Sequence, residues 1–229
     1  MMRIACLFLL IASSVAIADE WPQFLGPKRD GVWRETGIVD KFPDGGPKQL
    51  WSTKIGGGYA GVSVAQGKVF VPDYFKGEDK PKERTLCLDE KTGKELWKDE
   101  YPVTYKVAGG YASGPRCTPL VHGEFVYTLG TMGDLRCLKV SDGTVVWAKN
   151  YVKDFAAKVP NWGFASHPII DGDKLICVTG GTKNNLVMAF DKATGKTLWE
   201  VESTESDCGY AAAVIETFDS TRTLIVWHG

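Results

Sequence analysis

Apolar residues in this chain fall in short runs separated by polar turns. Val62–Ala65, Cys117–Val121, His167–Ile170 and Ala213–Glu216 each lead into a turn such as Gln66-Gly67, His122-Gly123 or Asp171-Gly172-Asp173. A second apolar run follows each time, at Val69–Val71, Phe125–Tyr127, Leu175–Val178 and Leu224–Trp227. Runs this short, rich in β-branched and aromatic residues and bounded by Gly or Asp, predict strands. No segment of a dozen residues keeps a helical period.

A longer phrase closes each unit. Its copies are Cys87-Leu-Asp-Glu-Lys-Thr-Gly-Lys-Glu-Leu-Trp97, Cys137-Leu-Lys-Val-Ser-Asp-Gly-Thr-Val-Val-Trp147 and Ala189-Phe-Asp-Lys-Ala-Thr-Gly-Lys-Thr-Leu-Trp199. Gly93, Gly143 and Gly195 each stand four residues before a Trp, and the Trp residues are 50 and then 52 residues apart. The phrase reads as strand, tight hairpin and strand, with Gly taking a positive φ in the turn. Each unit therefore has four strands in a meander. A period of this length with all-β content predicts the blades of a β-propeller.

The predicted blades span about 51–100, 101–151 and 152–202, with two strands of another over 203–229. Propellers close with about four to eight blades. Three and a half blades leave an exposed sheet edge, so the expectation is part of a ring of about seven or eight blades. Assembly with another copy is the alternative.

Residues 1–18 predict a signal peptide: a basic start at Arg3, an apolar run from Ile4 to Val15 and a small-x-small site at Ala16-Ile-Ala18. The apolar run is too short to favour a membrane span. Cleavage after Ala18 predicts an exported chain, periplasmic or secreted, without a transmembrane segment. Residues 19–50 hold too many Gly and Pro for regular structure. Their Trp21, Phe24 and Trp33 need a covering surface, which predicts an irregular cap on the blades.

Removing Arg3 reduces 27 basic residues to 26, against 28 acidic ones. That balance, with charges of both signs interspersed, argues against a nucleic-acid surface or a polybasic membrane patch. Cleavage would remove Cys6 of the six cysteines, and the remaining Cys87, Cys117, Cys137, Cys177 and Cys208 are odd in number and lack C-x-x-C spacing. They read as free core thiols. His122, His167 and His228 share no metal-ligand spacing and read as exposed or locally bonded. Gly56-Gly57-Gly58 lacks the Lys-Ser/Thr tail of a phosphate loop. No metal site and no catalytic residue is nominated.

One more element repeats: Gly58-Tyr59-Ala60, Gly110-Tyr111-Ala112, Gly163-Phe164-Ala165 and Gly209-Tyr210-Ala211, each just before the first strand of a unit. Two readings of Tyr59, Tyr111, Phe164 and Tyr210, with Trp162 nearby, stand side by side. The rings form a partial circle at a channel mouth, suited to a flat ligand or a peptide, or they pack between blades.

The Ala-x-Asp-x-x-Thr-Gly-x-x-Leu-Trp phrase resembles the repeat of the PQQ-like, BamB-like (quinoprotein-type) β-propeller family. The match is nearly complete at Cys87–Trp97 and complete at Ala189–Trp199, whereas the second copy has Lys139 and Asp142 at the Asp and Thr positions. Trp21-Pro-Gln-Phe-Leu-Gly-Pro and Trp162-Gly-Phe-Ala-Ser-His-Pro resemble exported bacterial members. The resemblance implies that Trp97, Trp147 and Trp199 dock between blades over the neighbouring blade's Gly. It implies one of two functions. One is a non-catalytic scaffold with protein partners in the cell envelope, like the outer-membrane assembly factor BamB. The other is part of a dehydrogenase that holds pyrroloquinoline quinone (PQQ) and calcium in its channel. The adjacent cysteine pair that covers the quinone in such enzymes is absent from this sequence.

Overall fold

The computed structural model describes residues 19–77, 80–105, 114–181, 186–201 and 208–227. Three four-stranded sheets and one two-stranded sheet account for the strands, all paired antiparallel in chain order. The first holds β1 (Ser63–Ala65), β2 (Lys68–Phe75), β3 (Lys82–Asp89) and β4 (Glu95–Pro102). The second holds β5 (Leu120–His122), β6 (Phe125–Leu129), β7 (Asp134–Lys139) and β8 (Val145–Asn150). The third holds β9 (Ile169–Asp171), β10 (Lys174–Val178), β11 (Val187–Asp191) and β12 (Thr197–Val201). The last pairs β13 (Val214–Phe218) with β14 (Thr221–Ile225). The chain is a partial β-propeller, as the repeat predicts.

Strand alternation gives each blade two apolar rows, because side chains on a strand point to opposite faces in turn. One row runs Phe70–Cys87–Trp97 in the first blade, Tyr127–Cys137–Trp147 in the second and Ile176–Ala189–Trp199 in the third, each triplet directly cross-strand. The opposite row runs Val64–Val69–Leu88, Val121–Val126–Leu138 and Ile170–Leu175–Phe190. Phe70, Cys87 and Trp97 share a buried cluster with Val121, Val126 and Leu138, so the first row of one blade packs on the second row of the next. Tyr127, Cys137, Leu175 and Phe190 lie in the larger cluster that joins the later blades. Each full burial of such a side chain stabilises by about 1.5–3 kcal/mol.

A register shift recurs after the small residue of each third strand, at Cys87/Leu88, Cys137/Leu138 and Ala189/Phe190. The extra residue lies on the outermost strand and is Leu96, Val146 or Leu198. Such a bulge bends the strand and re-aims the next side chain, here the Trp. The only helix among the described residues, α1 (Tyr151–Phe155), spans five residues, too few for a hydrophobic period to register. Asn150 caps it by accepting from the Lys153 amide, and its buried Tyr151 meets Phe164 edge-on at 5.2 Å.

Candidate functional site

The first strands of neighbouring blades converge. The Ser63 hydroxyl on β1 donates to the Pro119 carbonyl at the entry to β5, and the Ser166 hydroxyl donates to the Ala211 carbonyl at 2.8 Å between the entries to the next two blades. These strands form the inner edge of the partial ring, where a central channel would lie.

The N-terminal segment occupies much of that edge. Trp21 and Val64 exchange both backbone hydrogen bonds, at 2.8 and 3.0 Å, and the Val121 amide donates to the Pro22 carbonyl at 2.8 Å. Phe24 then stacks on His167. The Arg29 guanidinium donates to the carbonyls of Pro168 at 3.2 Å and Ala213 at 3.3 Å. Residues 21–29 thus tie to all four sheets in order. Positive φ values at Leu25, Gly26 and Arg29 let so short a segment bend from blade to blade. Burial and the Arg29 charge push the His167 imidazole down to about 4, so it is a neutral, packed ring. Of the two expected states, exposed or locally bonded, His167 takes the second: it bonds the Ala165 backbone, and the N-terminal segment covers its ring. Trp33, by contrast, is left 68% exposed. It lies 6.5 Å from Trp21 on the rim of a groove of about 630 Å³, so the expected cover over all three cap aromatics is incomplete.

The aromatic entry signals separate. Tyr59 is 54% exposed, with the Arg116 guanidinium 5.2 Å from its ring centre. Its amide and that of Ala60 both donate to the Pro115 carbonyl, tying the first entry loop to the second. Trp162 and Tyr210 come together: the Trp162 amide donates to the Tyr210 hydroxyl at 3.2 Å, and both rings are about two-fifths exposed. Tyr210 also lines a cavity of about 430 Å³ with Lys158, Asn161 and Trp227. Phe164 does not join them. It is fully buried against Tyr151 and beside Gly133, and its amide donates to the Thr131 carbonyl, so it packs between blades. The channel-mouth reading of Phe164 is therefore corrected. Tyr111 lies outside the described residues.

The repeat tryptophans take a different position. The Trp97 Nε1–H donates to the Val140 carbonyl and the Trp147 Nε1–H to the Lys192 carbonyl, each at 3.0 Å. A Cβ on Gly143 would lie 2.5 Å from the Trp97 ring, and one on Gly195 would lie 2.7 Å from the Trp147 ring. Gly143 and Gly195 also have φ of +74° and +70°, so both backbone and space require glycine. Gly93, at φ +68°, carries the ring of Trp51 in the same way. Sequence spacing alone missed Trp51, although the Leu50-Trp51 dipeptide repeats Leu96-Trp97 and Leu198-Trp199. Trp199 is half-buried and packs on the larger core cluster.

A polar node that the sequence did not single out joins the first two blades. The buried Glu83 carboxyl accepts from the Tyr101 hydroxyl at 2.7 Å, the Tyr105 hydroxyl at 2.6 Å and the Thr131 amide at 3.0 Å. Burial and the Glu83 charge push both phenols well above their ordinary range, so they stay protonated donors. Beside it, Arg136 forms a two-point ion pair with Asp99 of the preceding blade, at 2.6 and 2.8 Å. Arg84 pairs likewise with Asp73, which also accepts from the Gly56 amide.

These groups test the fit of a calcium-held quinone. Calcium takes about six to eight converging oxygens. Among the described residues no three His, Cys, Asp or Glu side chains are grouped to hold a metal. Asp73, Glu83, Asp99 and Asp171 are already bound by arginine, tyrosine or backbone donors. The five cysteines are buried and unpaired, and burial raises every one of their thiols. The donor set of the described residues does not fit the group.

A solved structure shares the fold. A quinohemoprotein alcohol dehydrogenase from Comamonas testosteroni is 18% identical over 79% of this chain and 27% of its own, with a TM-score of 0.54. BamB from Moraxella catarrhalis is 19% identical over 62% of this chain and 36% of its own, with a TM-score of 0.41. The chain thus spans about a third or less of either protein's length. No curated protein matches it. No helix among the described residues is long and apolar enough to cross a membrane. Residues 81–227, which hold all three Thr-Gly or Asp-Gly hairpins and Trp97, Trp147 and Trp199, match the family model of the outer membrane protein assembly factor BamB. With blades, hairpins and inter-blade indoles all in place, this chain belongs to the BamB-like, PQQ-like β-propeller family.

Proposed function

We propose that this chain is a non-catalytic binding module, exported to the cell envelope, that engages a protein partner through its entry loops. The observation that carries the reading is the contrast between the two parts of the inner edge. The N-terminal segment ties down the first strands from Val64 to Ala213, whereas Tyr59, Trp162 and Tyr210 present large rings to solvent on loops held between blades. Exposed aromatics on a rigid frame bury much area at little entropic cost, which suits a protein surface. The polar groups near them, Arg116 and Asn161, would supply orientation rather than chemistry. The family match to an outer membrane assembly factor supports an envelope partner, and the signal-like residues 1–18 support export.

A photo-crosslinking residue at Tyr59 or Tyr210, introduced into the chain in an envelope preparation, tests this. A discrete protein adduct from either position, absent when the probe replaces Lys139 on the far side of its blade, is the expected result. No adduct from either loop, together with saturable PQQ binding in the presence of calcium, would replace this reading with the dehydrogenase one.

A further inference from the structure

Arg84 and Arg136 each turn the Nε and Nη2 edge of the guanidinium to a carboxylate, that of Asp73 and that of Asp99. Arg29 does not. Its Nη1 donates to the Pro168 carbonyl at 3.2 Å and reaches the Gln23 side-chain oxygen at 3.5 Å, and its Nη2 donates to the Ala213 carbonyl at 3.3 Å. A guanidinium carries five N–H donors. Among the described residues, the Arg29 Nε–H and one Nη2–H therefore meet no acceptor, and no carboxylate pairs with the group. Burial lowers its pKa, with no acidic neighbour among the described residues to offset the effect. A cation drawn out of water without a counter-charge is costly, and a bound anion would relieve that cost.

Arg29 lines a cavity of about 230 Å³ between the N-terminal segment and the strands β9 and β13. Ile169, Val214 and Ile215 give it apolar walls, and Lys28 and Glu216 carry its other charges. We propose that Arg29 and this cavity form a binding site for a small aliphatic carboxylate, either a free branched-chain acid or the last residue of a peptide. The carboxylate takes the open Arg29 donors, as Asp73 and Asp99 take those of Arg84 and Arg136. A branched tail fills the apolar walls. The volume lies below the roughly 300–1,000 Å³ of a drug-sized ligand site, so the tail is short. Glu216 lines the cavity without pairing with Arg29, and it opposes a second negative charge, which disfavours phosphate and dicarboxylates. The site uses none of Tyr59, Trp162 and Tyr210, so it stands or falls independently of the entry-loop surface.

Isothermal titration of the chain at neutral pH with 4-methylpentanoate tests the site. One saturable site is expected, about tenfold or more tighter than for the neutral 4-methylpentanamide or for inorganic phosphate. Arg29→Lys keeps the charge but loses the fork, and should weaken binding about tenfold or more. Arg29 also anchors the N-terminal segment, so a second variant leaves it intact. Val214→Trp fills the cavity from a half-exposed position and should weaken binding as much. Nuclear Overhauser contacts from the bound acid's methyl groups should reach Ile169. Acetyl-alanyl-leucine with a free carboxyl terminus separates the sources: tighter binding than the free acid identifies a peptide end, weaker binding a free acid, and both orders support the carboxylate site. No saturable binding, equal binding of the amide or of phosphate, or binding that survives Val214→Trp would overturn the proposal.

Discussion

The Phe24 ring lies almost parallel to the His167 ring, 3.9 Å between centroids at 20°. The two residues are far apart in sequence, and their contact holds the N-terminal segment on the third blade. Arg29 anchors the same segment beyond it, and burial lowers the pKa of its guanidinium as well. The stack therefore bears a charge on one side and apolar surface on the other, and neither tolerates a second positive charge.

That arrangement makes the fold sensitive to acid. The folded-state value of His167, about 4, lies below the ordinary 6.5. The unfolded chain then binds the proton more readily, and stability falls as pH drops from 6.5 through about 4. The loss should be roughly 3 kcal/mol across that window. Urea unfolding at pH 7.5 and pH 4 measures it. His167→Gln should flatten the dependence between these limits, and an unchanged slope would show that another group is responsible.

Gly143→Ala should destabilise the chain by roughly 2–4 kcal/mol, combining left-handed strain with a clash. The added methyl would meet the Trp97 ring, which is itself 9% exposed and has no room to retreat. Gly123→Ala provides a control for the backbone alone, because its φ is +59° and nothing lies within 4 Å of its built Cβ. Its loss should stay near 1–2 kcal/mol. Denaturation midpoints of the two variants separate the inter-blade contact from the turn.

Arg136→Met should cost about 3–5 kcal/mol, because it leaves the buried Asp99 carboxylate without its partner. Adding Asp99→Leu should recover most of that loss, since an apolar pair of similar size carries no desolvation penalty. A double-mutant cycle by thermal unfolding reports the coupling. Additive losses would mean that the ion pair does not join the blades.

All five described thiols should resist alkylation in the native protein. Burial pushes Cys87, Cys137, Cys177 and Cys208 up to about 12 and Cys117 well above its usual value, so almost no thiolate exists at pH 8. Iodoacetamide followed by mass spectrometry should modify none of the five within minutes. All five should react in guanidinium. Fast labelling of any one would indicate local opening of its blade.

The blades were legible because their cause is local. Alternation in Val69–Val71 or Phe125–Tyr127 forces a strand with two faces, and the Asp and Thr of Asp89–Thr92 close their own turn. Asp89 accepts from both the amide and hydroxyl of Thr92, and Asp191 does the same for Thr194. In the divergent second copy Asp142 bonds the Thr144 amide instead, so the hairpin survives the exchange. The candidate site was less legible. Gly-aromatic-Ala repeats faithfully at residues 58, 163 and 209, yet Phe164 turns inward while Tyr59 and Tyr210 stay exposed. Gly133 leaves room for Phe164 beside Tyr151, and nothing near 163 in the sequence announces that space. The Glu83 node was invisible for the same reason: its partner amide at Thr131 lies 48 residues away.

From the order of residues alone came the meander, the positive-φ hairpins and the indole spaced to reach the next blade. Hydrogen bonds and φ preferences act over a few residues and repeat whenever the phrase repeats. Only the tertiary structure decided which rings are covered, that residues 21–29 bind the inner edge, and that Trp51 lies over the turn at Gly93. Those outcomes depend on space and partners supplied from other blades, to which no local pattern is coupled.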